Sequence, residues 1–241
     1  MNGLNFPISE VVARQPVRKP DADECPTHPG STLPACRHCL IDARVDGNRA
    51  AVAAWYAAVQ AEEFTQRAPV VFAQARPTLP QVAMWVAEFT VNPSASPWLL
   101  LSGPVGVGKT HEGYGAVYGA ATSGHRLVWE AKAAGELFAS LRPSPGVDTE
   151  ARMRHYQECD LFLVDDLGAS KNSDWVEEVT HRIINARYEN RRPTIITTNV
   201  VVPELKNVLG GRIASRLAEV SRVVRMTGPD RRRTTNKGNN E

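Results

Sequence analysis

Residues 98–110 dictate a strand, a tight turn and a helix in that order. The apolar run Trp98-Leu99-Leu100-Leu101 leads into Gly103-Pro104-Val105-Gly106-Val107-Gly108-Lys109-Thr110, a complete G-x-x-x-x-G-K-T string. A buried strand that ends in a glycine-rich turn and opens into a helix leaves several backbone N–H groups unpaired. They point into one small concavity with the helix dipole behind them, a cradle for polyphosphate. Gly103, Gly106 and Gly108 let the backbone curl with no side chains in the way. Lys109 is expected to reach the β- and γ-phosphates and the Thr110 hydroxyl to sit on Mg²⁺.

From Trp98 onward the pattern alternates strand and helix. Strands are expected over 98–102, 126–130, 160–165, 194–198 and 221–226, and helices over 109–122, 132–141, 149–158 and 173–190, with short helices across 203–219. This is the signature of a parallel α/β sheet flanked by helices. The 241 residues suit one ordinary domain with a smaller appendage, and a content of 42% hydrophobic against 22% charged residues is enough for a real core. No stretch approaches the roughly 18 apolar residues of a membrane span, and the first twenty or so lack the apolar centre of a secretory signal, so the expected compartment is the cytoplasm.

The amino-terminal part reads differently. Residues 1–24 carry proline and charge with little periodicity, a flexible lead-in. Next come Cys25-Pro-Thr-His28 and Cys36-Arg-His-Cys39, two close pairs around a short loop. Thiolates and an imidazole so spaced suit tetrahedral Zn²⁺, and four protein ligands (Cys25, His28, Cys36, Cys39) leave no open position, so the ion is structural. His38 is a competing ligand, and incidental reduced thiols are the alternative. Cys159 stands alone before an apolar strand as a core residue. Residues 48–66 are alanine-rich, with Val52, Trp55, Val59 and Phe64 spaced for one helical face. Leu79, Val82, Val86 and Phe89 mark a second amphipathic helix after a proline-containing crossing. The boundary falls near residue 70, giving a partner-binding zinc domain over 25–69, an α/β domain over 70–228, and a basic, disordered tail over 229–241.

Two sheet edges and one helical face carry polar groups beyond the phosphate loop. Leu161-Phe162-Leu163-Val164-Asp165-Asp166 is a buried strand delivering two carboxylates at its C-terminal end, where open α/β sheets bind ligands. Asp165 is expected to hold Mg²⁺, and Asp166 stands where ATPases with similar signatures place the acid that polarises attacking water, most often a glutamate, one methylene longer. The strand Thr194-Ile195-Ile196-Thr197-Thr198-Asn199 ends in an amide able to hydrogen-bond a γ-phosphate or a lytic water, or else in a plain turn residue. In Gly210-Gly211-Arg212-Ile213-Ala214-Ser215-Arg216-Leu217 the two arginines lie four apart on one helical face. That face can offer a guanidinium to a neighbouring subunit's nucleotide, or can be merely solvated.

This order of phosphate loop, paired acids, threonine-rich strand with terminal Asn and G-R-I-x-S-R-L resembles the AAA+ ATPases of the DnaC/IstB group over roughly residues 78–233. The group comprises helicase loaders and transposition helpers. The resemblance implies an AAA+ P-loop fold, with Arg216 as arginine finger and Arg212 in support. Gly228-Pro-Asp-Arg231-Arg232 is similar to the group's sensor segment, G-x-S-Y-R, but departs at the Ser-Tyr positions. Arg232 is then the sensor candidate, with Arg231 or Arg233 as substitutes. Thr110-His111 fits the group, whereas Glu112-Gly113 is atypical.

Charge adds a partner expectation. The formal net is only +2, yet from residue 191 onward eleven Lys and Arg face four Asp and Glu. Such a concentration suits single-stranded DNA, although no interleaved aromatic platform accompanies it. What the resemblance implies is an ATP-dependent loader of a DnaB-type replicative helicase that self-associates through its ATPase domain. An IstB-like helper of transposition and a non-hydrolysing ATP-binding adaptor are the alternatives.

Overall fold

The computed structural model describes residues 49–168 and 173–231. The expected lead-in, the ligands Cys25, His28, Cys36 and Cys39, and Arg232 with the rest of the tail lie outside the described residues. The chain divides into two compact units, Met1–Val52 and Ala53–Glu241. Only residues 49–52 of the first are described, as the opening of a helix; the sheet and the helices packed on it belong to the second.

The elements in chain order are α1 (Arg49–Arg67), α2 (Pro80–Val91), β1 (Trp98–Ser102), α3 (Lys109–Ala121), β2 (Trp129–Ala133), α4 (Ala134–Leu141), α5 (Thr149–Glu158), β3 (Leu161–Asp165), α6 (Asp174–Glu189), β4 (Thr194–Thr198), α7 (Leu205–Leu209), α8 (Gly211–Val220) and β5 (Ser221–Arg225). The five strands form one parallel sheet in the order β2-β3-β4-β1-β5. Because β4 is inserted between β1 and β3, whatever leaves its C-terminal end stands between the phosphate loop and the paired acids. The expected α/β architecture is what the chain adopts.

Alternation along the strands splits the core into two layers. Leu99, Leu101, Leu161, Leu163 and Ile195 point to one face, where Phe64, Val82, Trp85, Phe89 and Val117 cover them. Leu100, Phe162, Val164 and Ile196 point to the other, against Phe138, Tyr156, Val179, Ile183, Ile213 and Leu217. Each such side chain removed from water contributes about 1.5–3 kcal/mol, which fixes the strand register.

Helix starts follow local chemistry. Pro80 opens α2, where a missing N–H costs nothing. Asp148 caps α5 by accepting the Ala151 N–H at 2.8 Å, and Ser173 caps α6 through the Val176 N–H at 3.3 Å.

Two expectations shift. The buried stripe of α1 is Tyr56, Gln60 and Phe64, not Val52, Trp55 and Val59. Gln60 is buried because its amide serves the turn before β2, accepting the Leu127 N–H at 3.1 Å and donating to the His125 carbonyl. The second strand runs over Trp129–Ala133 in place of 126–130, since its ladder with β3 begins at the Trp129–Leu161 pair. Ahead of it, Val128 gives its N–H to the Asp160 carboxylate at 2.8 Å.

Candidate nucleotide-binding site

β1 delivers the chain to Gly103, whose N–H donates to the Thr198 carbonyl at 3.3 Å. Gly106 and Gly108 then take φ of 82° and 98°, a region open to glycine, and α3 begins at Lys109. Lys109 is only 7% exposed. Its ammonium donates to the carbonyls of Gly103 and Pro104, both at 2.8 Å, and to Asn199 Oδ1 at 2.5 Å. Pro104 and Val105 lie exposed at the tip of the loop, and Val107 is buried beneath it.

The acids converge on the same place. The Thr110 hydroxyl donates to Asp165 Oδ2 at 3.2 Å, and the Thr197 hydroxyl to Oδ1 at 2.6 Å. Asn199 Nδ2 donates to Asp166 Oδ1 at 2.6 Å, so one amide spans the lysine and the second acid. Burial pushes the Asp165 carboxyl above the ordinary aspartate range. The Thr197 and Thr110 hydrogen bonds and the Lys109 charge pull against that shift, while neighbouring Asp166 adds to it. Asp166 sits at φ 58°, in the left-handed region that non-glycine residues rarely adopt.

A segment beyond β5 runs along the phosphate loop. Met226 N–H donates to the Ser102 carbonyl at 2.7 Å, and Arg231 N–H to the Gly106 carbonyl at 2.9 Å. A Cβ at Gly103 would collide with the Met226 carbonyl oxygen, and one at Gly106 with the Asp230 carboxylate. Glycine at these two positions therefore also permits close approach of this strap. Arg231, the described member of the arginine run, brings its guanidinium beside Gly108.

Arg212 and Arg216 stand apart from this cluster. Arg212 is exposed at the start of α8. Half-buried Arg216 meets His181 Nε2 at 3.3 Å, with its guanidinium 5.4 Å from the Tyr188 ring centre, both partners on α6. Among the described residues, neither arginine hydrogen-bonds to the phosphate loop or the paired acids. No group of three or more His, Cys, Asp or Glu there could hold a metal ion alone.

Two residues of the site escaped the sequence reading. Thr197 lies under both acids, and its signal was the alternation of β4, which sends residues 195 and 197 to one face. Glu112 is wholly buried in the first turn of α3. It accepts the backbone N–H groups of Thr78, at 3.1–3.2 Å, and Leu79, at 3.3 Å, and the Thr78 hydroxyl, tying the start of α2 to the phosphate-loop helix. Its atypical place after Thr110-His111 was the visible sign. Glu112→Gln puts an amide N–H₂ against these donors and is expected to cost about 1–3 kcal/mol, read as a lower urea midpoint at unchanged m-value.

The donor set fits a nucleoside triphosphate and its metal: a curled loop of N–H groups at a helix start, one buried ammonium, one hydroxyl and a carboxylate at the sheet's C-terminal edge. Strand order and site together define a P-loop ATP-binding domain. The chain belongs to the family of IstB-like ATP binding proteins, whose model matches residues 89–237. It is 23% identical over 147 residues to the replicative helicase loader DnaC of Escherichia coli (strain K12), a match covering 58% of this chain and 56% of that protein. The chain thus spans little more than half the length of the curated DnaC relatives. A crystal structure of the DnaC helicase loader superposes with a TM-score of 0.57 at 25% identity, over 65% of this chain and 98% of that one. The structure of DnaI gives a TM-score of 0.54 at 22% identity, over 63% of this chain and 82% of its own, a likeness of fold. No described helix is long and apolar enough to cross a membrane.

Proposed function

We propose that this protein is an ATPase that loads a DnaB-type replicative helicase onto single-stranded DNA, with ATP binding and hydrolysis as the assembly and release switch. The observation that carries the reading is the convergence of Lys109, Thr110, Asp165, Asp166 and Asn199 at one sheet edge, in a chain similar to DnaC.

Residues 103–110 cradle the phosphates, and Lys109 exchanges its carbonyl and Asn199 partners for phosphate oxygens. Thr110 and Asp165 hold Mg²⁺, which neutralises phosphate charge when bound. Asp166 accepts a hydrogen bond from the attacking water, and Asn199, already hydrogen-bonded to it, orients that water. Arg212 and Arg216 make no hydrogen bond to the described phosphate loop or paired acids of their own chain, and they are assigned to the nucleotide of an adjacent subunit, with Arg216 as the finger. Arg232 remains the sensor arginine by resemblance, with Arg231 as its described neighbour at the loop. The basic carboxy-terminal stretch supplies contacts to single-stranded DNA. Cys25, His28, Cys36 and Cys39 form a structural Zn²⁺ site in an amino-terminal partner-binding domain, the cytoplasm being the compartment where such a loader works.

An IstB-like role as an ATPase helper of transposition is the second reading, favoured by the matching family model. The loader reading is tested by phosphate release from the full chain, alone and with single-stranded DNA and a replicative helicase. Turnover stimulated by both, and lost in Lys109→Ala together with nucleotide binding, is the expected result. ATP binding that survives Lys109→Ala overturns the site, and stimulation by a transposase but not a helicase decides for the second reading.

A further inference from the structure

We propose that Thr197 is a positioning residue that locks the metal-holding carboxylate of Asp165 and the backbone of Asp166 into one unit. This inference rests on the metal-holding and water-orienting roles of the two acids.

Thr197 is 1% exposed, in the strand inserted between the phosphate-loop strand and the acid-bearing strand. A threonine hydroxyl has one proton to give and lone pairs to receive with. The proton goes to Asp165 Oδ1 at 2.6 Å, and the oxygen accepts the Asp166 N–H at 2.8 Å. These directions are not interchangeable, because a backbone N–H can only donate. The carbonyl of Thr197 then accepts the Leu167 N–H at 2.9 Å, so one residue grips two consecutive amides of the turn through different atoms.

The grip opposes a real cost. The left-handed region is sparsely populated by residues other than glycine, and Asp166 holds it at φ 58°. Relaxation of that angle would swing the Asp166 carboxylate away from Asn199, its partner at 2.6 Å. The hydroxyl also fixes Asp165 independently of Thr110. Thr110 bonds only Oδ2, so when its hydroxyl turns to a metal ion, Oδ1 is still held by Thr197. Valine at this position preserves the shape of the side chain but removes a donor from one acid and the acceptor of the other's amide.

The test compares Thr197→Val and Thr197→Ser in the full chain. Binding of a non-hydrolysable ATP analogue is measured by calorimetry in Mg²⁺ and in EDTA, together with ATP turnover. Thr197→Val is expected to lose about 10- to 100-fold in the Mg²⁺-dependent gain of affinity and in kcat, as outer partners of a metal site do, with affinity in EDTA within about twofold of wild type. Thr197→Ser, which keeps the hydroxyl, is expected to restore both. Should the valine variant fail to fold, Thr197→Ala, which also lacks donor and acceptor, takes its place. A wild-type Mg²⁺ response in the valine or alanine variant overturns the inference, as does equal loss with and without metal, or a serine variant as impaired as valine. A wild type that never turns over while its Mg²⁺ response depends on Thr197 refutes the hydrolysis reading and leaves this inference standing.

Discussion

Arg187→Met is expected to lower the stability of the protein by about 2–4 kcal/mol, a large share of a typical domain's total. Arg187 is wholly buried on α6, beneath the acid strand. Its guanidinium donates to Thr194 Oγ1 at 2.8 Å, to the carbonyls of Tyr156 and Cys159 at 2.9 Å, and to that of Pro193 at 2.6 Å. Burial pushes its pKa down to about 10, so it remains charged at neutral pH. The planar fork collects the carbonyls at the end of α5 and at the entry to β4, and so ties α5, α6 and β4 together. Methionine fills much of the volume but leaves the Cys159 carbonyl without a donor, and the Pro193 and Tyr156 carbonyls with only the Phe162 N–H at 3.4 Å and the Cys159 thiol at 3.7 Å; a buried unsatisfied group costs about 1–3 kcal/mol. Urea unfolding at constant m-value measures the loss, and a change below about 1 kcal/mol refutes the account. Arg187→Lys should fall between, because one ammonium cannot span all four acceptors.

Asp165→Asn should divide stability from function. Burial is the largest cause of the raised Asp165 pKa, so the ionised carboxylate is less favoured in the folded protein than in the unfolded chain. The contribution of this group is fully present below the ordinary aspartate pKa and is lost as pH rises through the elevated folded value. At neutral pH the charge is therefore a burden on the nucleotide-free protein, and the asparagine variant should melt at the same temperature as wild type or higher. Its pH dependence of stability should be flatter in the window above the ordinary aspartate pKa. ATP turnover should fall by about 10²–10³, since a metal clamp contributes several kcal/mol and each 1.36 kcal/mol is tenfold in rate. A variant that loses stability at neutral pH, or that keeps wild-type turnover, contradicts this assignment.

Much of this site was legible because its parts are consecutive in sequence. The strand before Gly103, the loop and the helix after it all read from one short string, and Asp165 and Asp166 close an apolar run whose length fits a buried strand. What the sequence hid is chiefly spatial. A threonine in a strand is unremarkable until β4 is known to lie between β1 and β3, and only then does Thr197 fall beneath the acids. Glu112 stood out in the sequence only as atypical, because its partners at Thr78 and Leu79 belong to an earlier crossing that meets α3 only in the fold. The misplaced second strand has another cause. Glu130-Ala131-Lys132-Ala133 is built of helix formers, and pairing with β3 overrides their propensity. In α1 Phe64 lies on the buried face as expected, but Tyr56 and Gln60 replace Val52, Trp55 and Val59 there, since a glutamine can be buried when two backbone groups await its amide.

The five residues of β4 and the asparagine after them also set a limit on how such a gene can change. Ile195 and Ile196 fill opposite layers, Thr197 holds the acids, the Thr198 hydroxyl donates to the Leu167 carbonyl at 2.7 Å, and Asn199 spans Lys109 and Asp166. Side chains in a strand alternate with a period of two, so one codon inserted or lost here would exchange both isoleucines between layers and slide every polar group past its partner. Single substitutions can be repaired one at a time, but a frame-preserving indel in this stretch would dismantle core and site in one event. Length variation is better borne where the chain leaves the sheet, as at 142–147, between α4 and α5.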